Sequence, residues 1–210
     1  MHVAVIGASG RTGSQVVDQA LARNLKVTAI VRDPTSYPVS DHSRVGLAIA
    51  DARDPVSLQR AITGVDAVVF AVGPRGAGGL HVQGDGIIAT LMAMEGAQVN
   101  RLVAISGSWL PNESDDVVFR LLLKPLYRRA LRPAFLDMCD MERSLQNSSV
   151  AWTSIRPPVL TSGTKPGPYR RRMDRDVPLG LTITRPTLAA AIIDTLHDAT
   201  TIRHVICVAR

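Results

Sequence analysis

Cysteine and long apolar runs are both scarce in this sequence. Its two cysteines, Cys139 and Cys207, have no CxxC or metal-ligand spacing and are too few for a disulfide framework, which favours reduced thiols in a cytoplasmic protein. No apolar run reaches the ~18 residues that a membrane-spanning helix needs. The first predicted strand begins at residue 2 or 3, which leaves no room for a signal peptide. We therefore expect a cytoplasmic protein without a membrane partner.

Motifs for several kinds of chemistry are also absent. The five histidines are scattered without the spacing of metal ligands, so we expect no metal. The sequence contains neither the GxSxG nucleophile elbow of hydrolases nor the glycine and lysine pattern of a P-loop. Serine-hydrolase and P-loop chemistry are therefore not indicated.

Positive charge is concentrated in the second half of the chain. Residues 1–100 carry eight Lys/Arg and eight Asp/Glu, whereas residues 101–210 carry sixteen and ten, so the second half supplies the whole net charge of +6. A basic chain can bind nucleic acid. However, there is no recognition motif and no basic run interleaved with aromatic residues. Attraction to an anionic cofactor or substrate needs fewer assumptions, and we expect no nucleic-acid partner.

The first twenty-one residues carry the strongest pattern that is present. Val3–Ile6 is a short, uncharged, mainly β-branched run, typical of a strand buried on both faces of a parallel sheet. A glycine-rich turn follows, and apolar residues then recur from Val16 to Leu21 as on a helix packed against a sheet. In this context the glycines let the backbone turn tightly and approach a diphosphate, which the free amides of the helix start bind. An ordinary βα turn is the weaker alternative. The candidate cofactor-binding residues of the turn are Gly7, Ala8, Ser9, Gly10, Arg11, Thr12 and Gly13.

Strands and helices alternate along most of the remaining chain. This order predicts a Rossmann-type α/β fold, which is a doubly wound parallel sheet with a small C-terminal lobe. We expect one NAD(P)-binding domain over residues 1–210, with a substrate lobe from about 107–135 and 157–185. Further strands are predicted at 26–31, 45–50, 67–72, 102–105, 152–156 and 205–208.

Three segments of the second half have a less certain role. Residues 117–131 are apolar and basic without an acid, which predicts a bent helix with a solvated basic face more than a membrane or partner surface. Asp137, Asp140 and Glu142 belong to the next predicted helix, where a capping or solvated role is favoured over catalysis. Residues 157–178 are predicted to be irregular.

The spacing of the first glycines is GxxGxxG and not GxGxxG. With so short a parallel fold, this variant resembles the atypical short-chain dehydrogenase/reductase superfamily. The resemblance extends through Asp51-Ala52, Ser106, the run from Ser154 to Pro158, and Thr184 to Leu196. Within that superfamily the chain is similar to the biliverdin-IXβ reductase/flavin reductase group and to NmrA-like proteins. By position, this resemblance implies that Asp51 and Ala52 lie by the adenine. It also implies that the nicotinamide is bordered by Val72, Gly73, Ser106, Pro157 and Val159.

Arg32 is the residue that bears on cofactor choice. It comes directly after the second predicted strand, where an acidic residue would hydrogen-bond the ribose hydroxyls of NAD. An arginine there accommodates a 2′-phosphate instead. The sequence therefore favours NADP(H), although a plain surface arginine in a turn is the alternative.

The catalytic residues are harder to assign. No tyrosine stands four residues before a lysine, so the acid pair usual in the larger superfamily is absent. In the flavin reductase group a serine and a histidine line the site. Here Ser106 or Ser108 is the candidate serine, but Val159 replaces the histidine. Trp109 is a candidate for stacking on a planar substrate, with a core role equally open.

Two functions follow from these residues. The first is an NADPH-dependent reductase that passes hydride to a planar conjugated small molecule, such as a flavin, a quinone or a tetrapyrrole-like compound. The second is an NmrA-like sensor that binds NAD(P) without turnover. A monomer and a homodimer are both compatible with the sequence.

Overall fold

The chain forms one large, mostly parallel sheet with helices on both of its faces. In this computed structural model, residues 1–37, 43–73, 81–108, 110 and 132–210 are described. The strands are β1 (His2–Ile6), β2 (Lys26–Val31), β3 (Val45–Ile49), β4 (Ala67–Phe70), β5 (Arg101–Ile105), β6 (Ala151–Arg156), β7 (Val159–Thr161), β8 (Arg170–Met173), β9 (Thr182–Thr184) and β10 (His204–Ala209). The helices of the described ranges are α1 (Gly13–Ala22), α2 (Pro55–Ile62), α3 (Val82–Gly96), α4 (Arg132–Gln146) and α5 (Arg185–His197), with 3₁₀ turns at Pro34–Ser36 and Ala199–Thr201.

The strand order of the main sheet is β3-β2-β1-β4-β5-β6-β10-β8. Every neighbouring pair is parallel except β10 and β8, which run antiparallel. The order reverses between β1 and β4, and ligands of such sheets bind at the carboxyl ends of the strands at that point. The predicted doubly wound Rossmann-type sheet is therefore confirmed.

The helices divide between the two faces of the sheet. On one face α1 and α5 pack together through apolar residues such as Val16, Val17, Leu188 and Ile192. On the other face α2, α3 and α4 bury a second cluster. Strands β1 and β4 are buried almost throughout, because helices cover both of their sides. Within the described part of the chain, no helix is long and apolar enough to cross a membrane.

Two of the local structures follow directly from side-chain chemistry. Asn24 has φ of +61° just after α1, and asparagine tolerates this left-handed conformation that ends many helices. Asp54 accepts a hydrogen bond from the amide of Val56 at 3.1 Å and so caps α2, while Pro55 occupies the first helical position. Both features agree with the sequence pattern.

The stretch from residue 157 to 178 is not irregular throughout, so that prediction is corrected. It contains β7, which pairs with β9 in a small second sheet, and β8, which forms an edge of the main sheet. Strand β8 consists of Arg170, Arg171, Arg172 and Met173, all exposed, and therefore lacks the apolar alternation that predicts a strand. Charged side chains on an edge strand hinder pairing with another sheet. The predicted helix of residues 117–131 falls outside the described residues.

Candidate functional site

A cleft of about 370 Å³ opens at the carboxyl ends of β1, β2, β3 and β4. It is therefore at the point where the strand order reverses. The predicted cofactor-binding residues that line it are Gly7, Ser9, Gly10, Arg11, Thr12, Arg32, Asp51, Ala52, Val72 and Gly73. Ala8 is buried beneath this surface.

The turn between β1 and α1 is built so that its backbone lies open to the cleft. Gly7 has φ of +84°, and a Cβ added there would lie 2.9 Å from the carbonyl oxygen of Ala71. The amide of Gly10 donates to the carbonyl of Gly7 at 2.9 Å, which closes the turn. A Cβ at Gly13 would overlap that same Gly7 carbonyl, so α1 can approach the strand this closely only with glycine at its start. The backbone packing of this turn therefore requires glycine at Gly7 and Gly13.

Four arginines and one acid stand around the cleft. Arg32 follows β2, and Arg53 follows β3 together with Asp51. The Asp51 carboxylate accepts a hydrogen bond from the backbone amide of Arg53 at 2.9 Å. The same carboxylate lies 3.6 Å from Nε of Arg53. Among the described residues, no carboxylate forms an ion pair with Arg11, Arg32 or Arg185. The cleft is therefore suited to an anion.

Arg185 is a cleft residue that the sequence analysis missed. It is the first residue of α5, and it lines the cleft because α5 packs beside α1. Partial burial and the nearby guanidinium of Arg11 both lower the pKa of Arg185. A cation at the N-terminus of a helix opposes the helix dipole. That unfavourable placement was the available signal that Arg185 has a role other than stabilising its helix.

The serine and proline candidates lie beyond the lining residues of the cleft, at the ends of β5 and β6. The Ser106 amide donates to the Ile155 carbonyl at 2.9 Å, and the Ser108 amide donates to the Pro157 carbonyl at 3.0 Å. Ser106 is 4% exposed, and its Oγ has no hydrogen-bond partner within the described ranges. Val159, by contrast, is half-exposed. Trp109, the candidate stacking residue, is not among the described residues.

Gln83 is a second residue that sequence reasoning did not single out. It is 2% exposed, and its Nε2 donates to the carbonyl of Val72, which lines the cleft. The amides of Gln83 and Gly84 donate to the Asp137 carboxylate at 3.0 and 2.7 Å, so Asp137 of α4 caps α3 from another helix. The expected capping role is thus found for Asp137. Asp140 is solvated and pairs with Arg143 at 2.8 Å.

Glu142 is neither a cap nor solvated, which corrects the expectation for this residue. Its Oε1 accepts from Nε of Arg156 and from Oγ of Ser154, each at 2.8 Å, and Nη2 of Arg156 donates to its Oε2. Burial opposes the charge on Arg156, but the hydrogen bond and the charge of Glu142, together with smaller contributions of Cys207 and Asp176, outweigh it and raise the pKa of Arg156. The ion pair connects α4 to the last residue of β6, which directly precedes Pro157.

A glycine turn at the switch point of a doubly wound sheet defines a dinucleotide-binding protein. The matching family model is that of NAD(P)H-binding proteins and covers residues 7–199. The chain therefore belongs to this NAD(P)H-binding family. Protein YMR090W of Saccharomyces cerevisiae is 28% identical over 218 residues, which cover 98% of this chain and 92% of the relative. The YwnB protein of Bacillus subtilis is 27% identical over 179 residues, covering 83% of this chain and 80% of the relative.

Solved structures share the same fold. A short-chain dehydrogenase/reductase from Veillonella parvula in complex with NADP has a TM-score of 0.85 at 19% identity, over 100% of this chain and 94% of that chain. The oxidoreductase ylbE from Lactococcus lactis has a TM-score of 0.80 at 19% identity, over 100% and 91%. At these identities the likeness shows the Rossmann-type fold, and the family match shows a protein that binds a nicotinamide cofactor.

Proposed function

We propose that the protein is an NADPH-dependent reductase whose acceptor is a planar conjugated small molecule, such as a flavin, a quinone or a tetrapyrrole-like compound. The observation that carries the cofactor preference is the position of Arg32. Arg32 lies directly after β2 and lines the cleft, and none of the described carboxylates forms an ion pair with it. A guanidinium in this place can bind a 2′-phosphate through two parallel hydrogen bonds.

Different residues of the cleft would bind different parts of the cofactor. The turn from Gly7 to Gly13 would hold the diphosphate through backbone amides, because it lines the cleft and leads into the N-terminus of α1. Asp51 and Ala52 would border the adenine, and Val72 with Gly73 the nicotinamide side. The bound nicotinamide supplies the hydride, so the protein mainly positions the two reactants.

The need for a proton donor distinguishes between possible classes of acceptor. Reduction of a simple ketone produces an alkoxide and benefits from a positioned acid. Ser106 is the buried candidate, but the part of the chain that the structure describes offers its Oγ no partner that would lower its pKa. A flavin or quinone spreads the incoming charge over a conjugated system and can take its proton from water. We therefore expect turnover of such acceptors and negligible turnover of simple ketones.

The cofactor preference is tested with Arg32→Ala. A charge-assisted contact to a phosphate contributes about 1.5–3 kcal/mol, which corresponds to roughly tenfold or more in affinity. NADPH should lose about that factor in calorimetry while NADH is nearly unaffected. Arg60→Ala removes an exposed charge of α2 outside the cleft lining and is the matched control. Equal losses for both cofactors would show that Arg32 is only a turn residue.

A cofactor sensor without turnover is the second candidate. Val159 favours it, because an apolar, half-exposed side chain stands where the similar reductases have a histidine. Steady-state NADPH oxidation with a flavin, a quinone and a simple ketone separates the two functions. Robust ketone turnover that Ser106→Ala abolishes would refute the acid-free mechanism. Tight NADPH binding without turnover of any acceptor would support the sensor.

A further inference from the structure

We propose that Arg11 and Arg185 would bind the diphosphate of the nicotinamide cofactor together with the backbone of the glycine turn. This proposal deepens the cofactor-binding part of the proposed function. It does not depend on whether Arg32 binds the 2′-phosphate, and it does not depend on which acceptor is reduced.

Packing of the two ends of the chain brings these arginines to one cleft. Arg11 belongs to the turn before α1, whereas Arg185 begins α5 near the C-terminus. The two helices lie side by side on the same face of the sheet. Both residues line the cleft, and the charge of Arg11 acts on Arg185. The diphosphate site next to the first amides of α1 is therefore flanked by two cations.

The structural contacts of Arg185 do not account for its placement. Its Nη1 donates to the carbonyl of Thr161 at 3.2 Å, a neutral acceptor. Within the described ranges neither Arg185 nor Arg11 forms an ion pair with a carboxylate. The two positive charges repel one another, and each lies near the positive end of a helix, Arg11 before α1 and Arg185 at the start of α5. An anion between them would convert this repulsion into attraction.

The position of the arginines selects the diphosphate over the 2′-phosphate. Arg32 and Arg53 follow β2 and β3, next to Asp51 and Ala52 on the adenine side. Arg11 and Arg185 are instead next to the glycine turn. Because NADPH and NADH share the diphosphate, loss of Arg185 should weaken both cofactors by the same factor. Loss of Arg32 should weaken only the phosphorylated one.

Calorimetry with four ligands tests this assignment. For Arg185→Ala we expect about tenfold or more weaker binding of NADPH, NADH and ADP-ribose, which all contain the diphosphate, and unchanged binding of adenosine 2′-monophosphate, which does not. Arg185→Lys keeps the charge without the planar fork and should recover part of the loss. Arg60→Ala is the control for removing one positive charge.

The stability of the cofactor-free protein separates a ligand-binding arginine from a structural one. Because the charge of Arg11 repels Arg185, Arg185→Ala should leave the melting temperature of the cofactor-free protein unchanged or slightly raised. The variant should also reduce the rise in melting temperature that NADH causes. A clearly lowered melting temperature without cofactor would overturn the proposal, since the loss of affinity would then reflect folding.

Three further results would also refute it. Unchanged affinity for all four ligands would remove Arg185 from the cofactor site. Unchanged cofactor affinity with a raised KM for anionic acceptors would assign the arginines to the substrate. A loss confined to NADPH and adenosine 2′-monophosphate would place Arg185 at the 2′-phosphate. Absence of turnover would contradict the reductase function alone, because these binding measurements do not depend on it.

Discussion

The buried ion pair between Glu142 and Arg156 should dominate the response of the fold to mutation. The Arg156 and Glu142 side chains are 5% and 7% exposed, so neither charge is solvated when its partner is removed. Glu142→Met replaces the carboxylate by an apolar chain of similar length and leaves the Arg156 cation buried. Breaking a buried pair in this way costs about 3–5 kcal/mol. In a protein of this length, each kcal/mol shifts the melting temperature by roughly 2–4 °C, which gives a decrease of about 6–20 °C.

The double variant provides the test of the reasoning. Arg156→Met leaves the Glu142 carboxylate buried and should cost a similar amount, about 3–5 kcal/mol. Glu142→Met with Arg156→Met leaves no buried charge at the pair, and should lie close to the wild-type stability because apolar replacement of such pairs is often neutral. Arg143→Ala, on an exposed ion pair of the same helix, is the control and should cost at most about 1 kcal/mol.

Urea unfolding followed by far-ultraviolet circular dichroism measures these differences as shifts of the midpoint at constant slope. The reasoning is wrong if Glu142→Met costs less than about 1 kcal/mol. It is equally wrong if the double variant is destabilised by the sum of the two single changes, since independent sites are additive and a coupled pair is not.

Two other changes probe the nucleotide turn and the cap of α3. Gly10→Val should abolish cofactor binding in calorimetry without unfolding the domain. Its Cβ would lie 3.1 Å from the Gly7 carbonyl oxygen, and the branched side chain would crowd the turn that is proposed to bind the diphosphate. Unchanged affinity would contradict the assignment of the turn. Asp137→Ala removes the acceptor of two buried amides and should lower the free energy of unfolding by about 1–2 kcal/mol, whereas no change in urea unfolding would contradict the capping role.

The sequence predicted those features that depend on neighbouring residues. Strand β2 was predicted with its observed bounds, because a run of apolar residues between turn signals has few other interpretations. The caps at Asn24 and Asp54 are of the same kind, because each needs only the adjacent backbone and a residue type that suits it. The glycine turn was recognised because strand, turn and helix are consecutive in the chain.

The features that it did not predict depend on tertiary packing. Glu142 and Arg156 belong to different elements, and no local pattern indicates that a helix carboxylate is buried against a strand. Arg185 reaches the cleft only because α5 packs beside α1. Strand β8 was missed since its pairing with β10 stabilises a run of arginines that has no strand pattern of its own.

The net charge of a segment does not indicate which of its charged residues reach the cleft. The basic excess of the second half was attributed to an anionic cofactor or substrate, yet the arginines of β8 belong to the sheet edge. Arg170 donates to the carbonyls of Pro178 and Arg210, and Arg171 pairs with Asp198 at 2.9 Å. In the described part of the second half, Arg185 is the basic residue that lines the cleft, and the other three cleft arginines come from the half without net charge. We therefore expect attraction of the cofactor to depend on where arginines lie in the fold and not on the net charge of a segment.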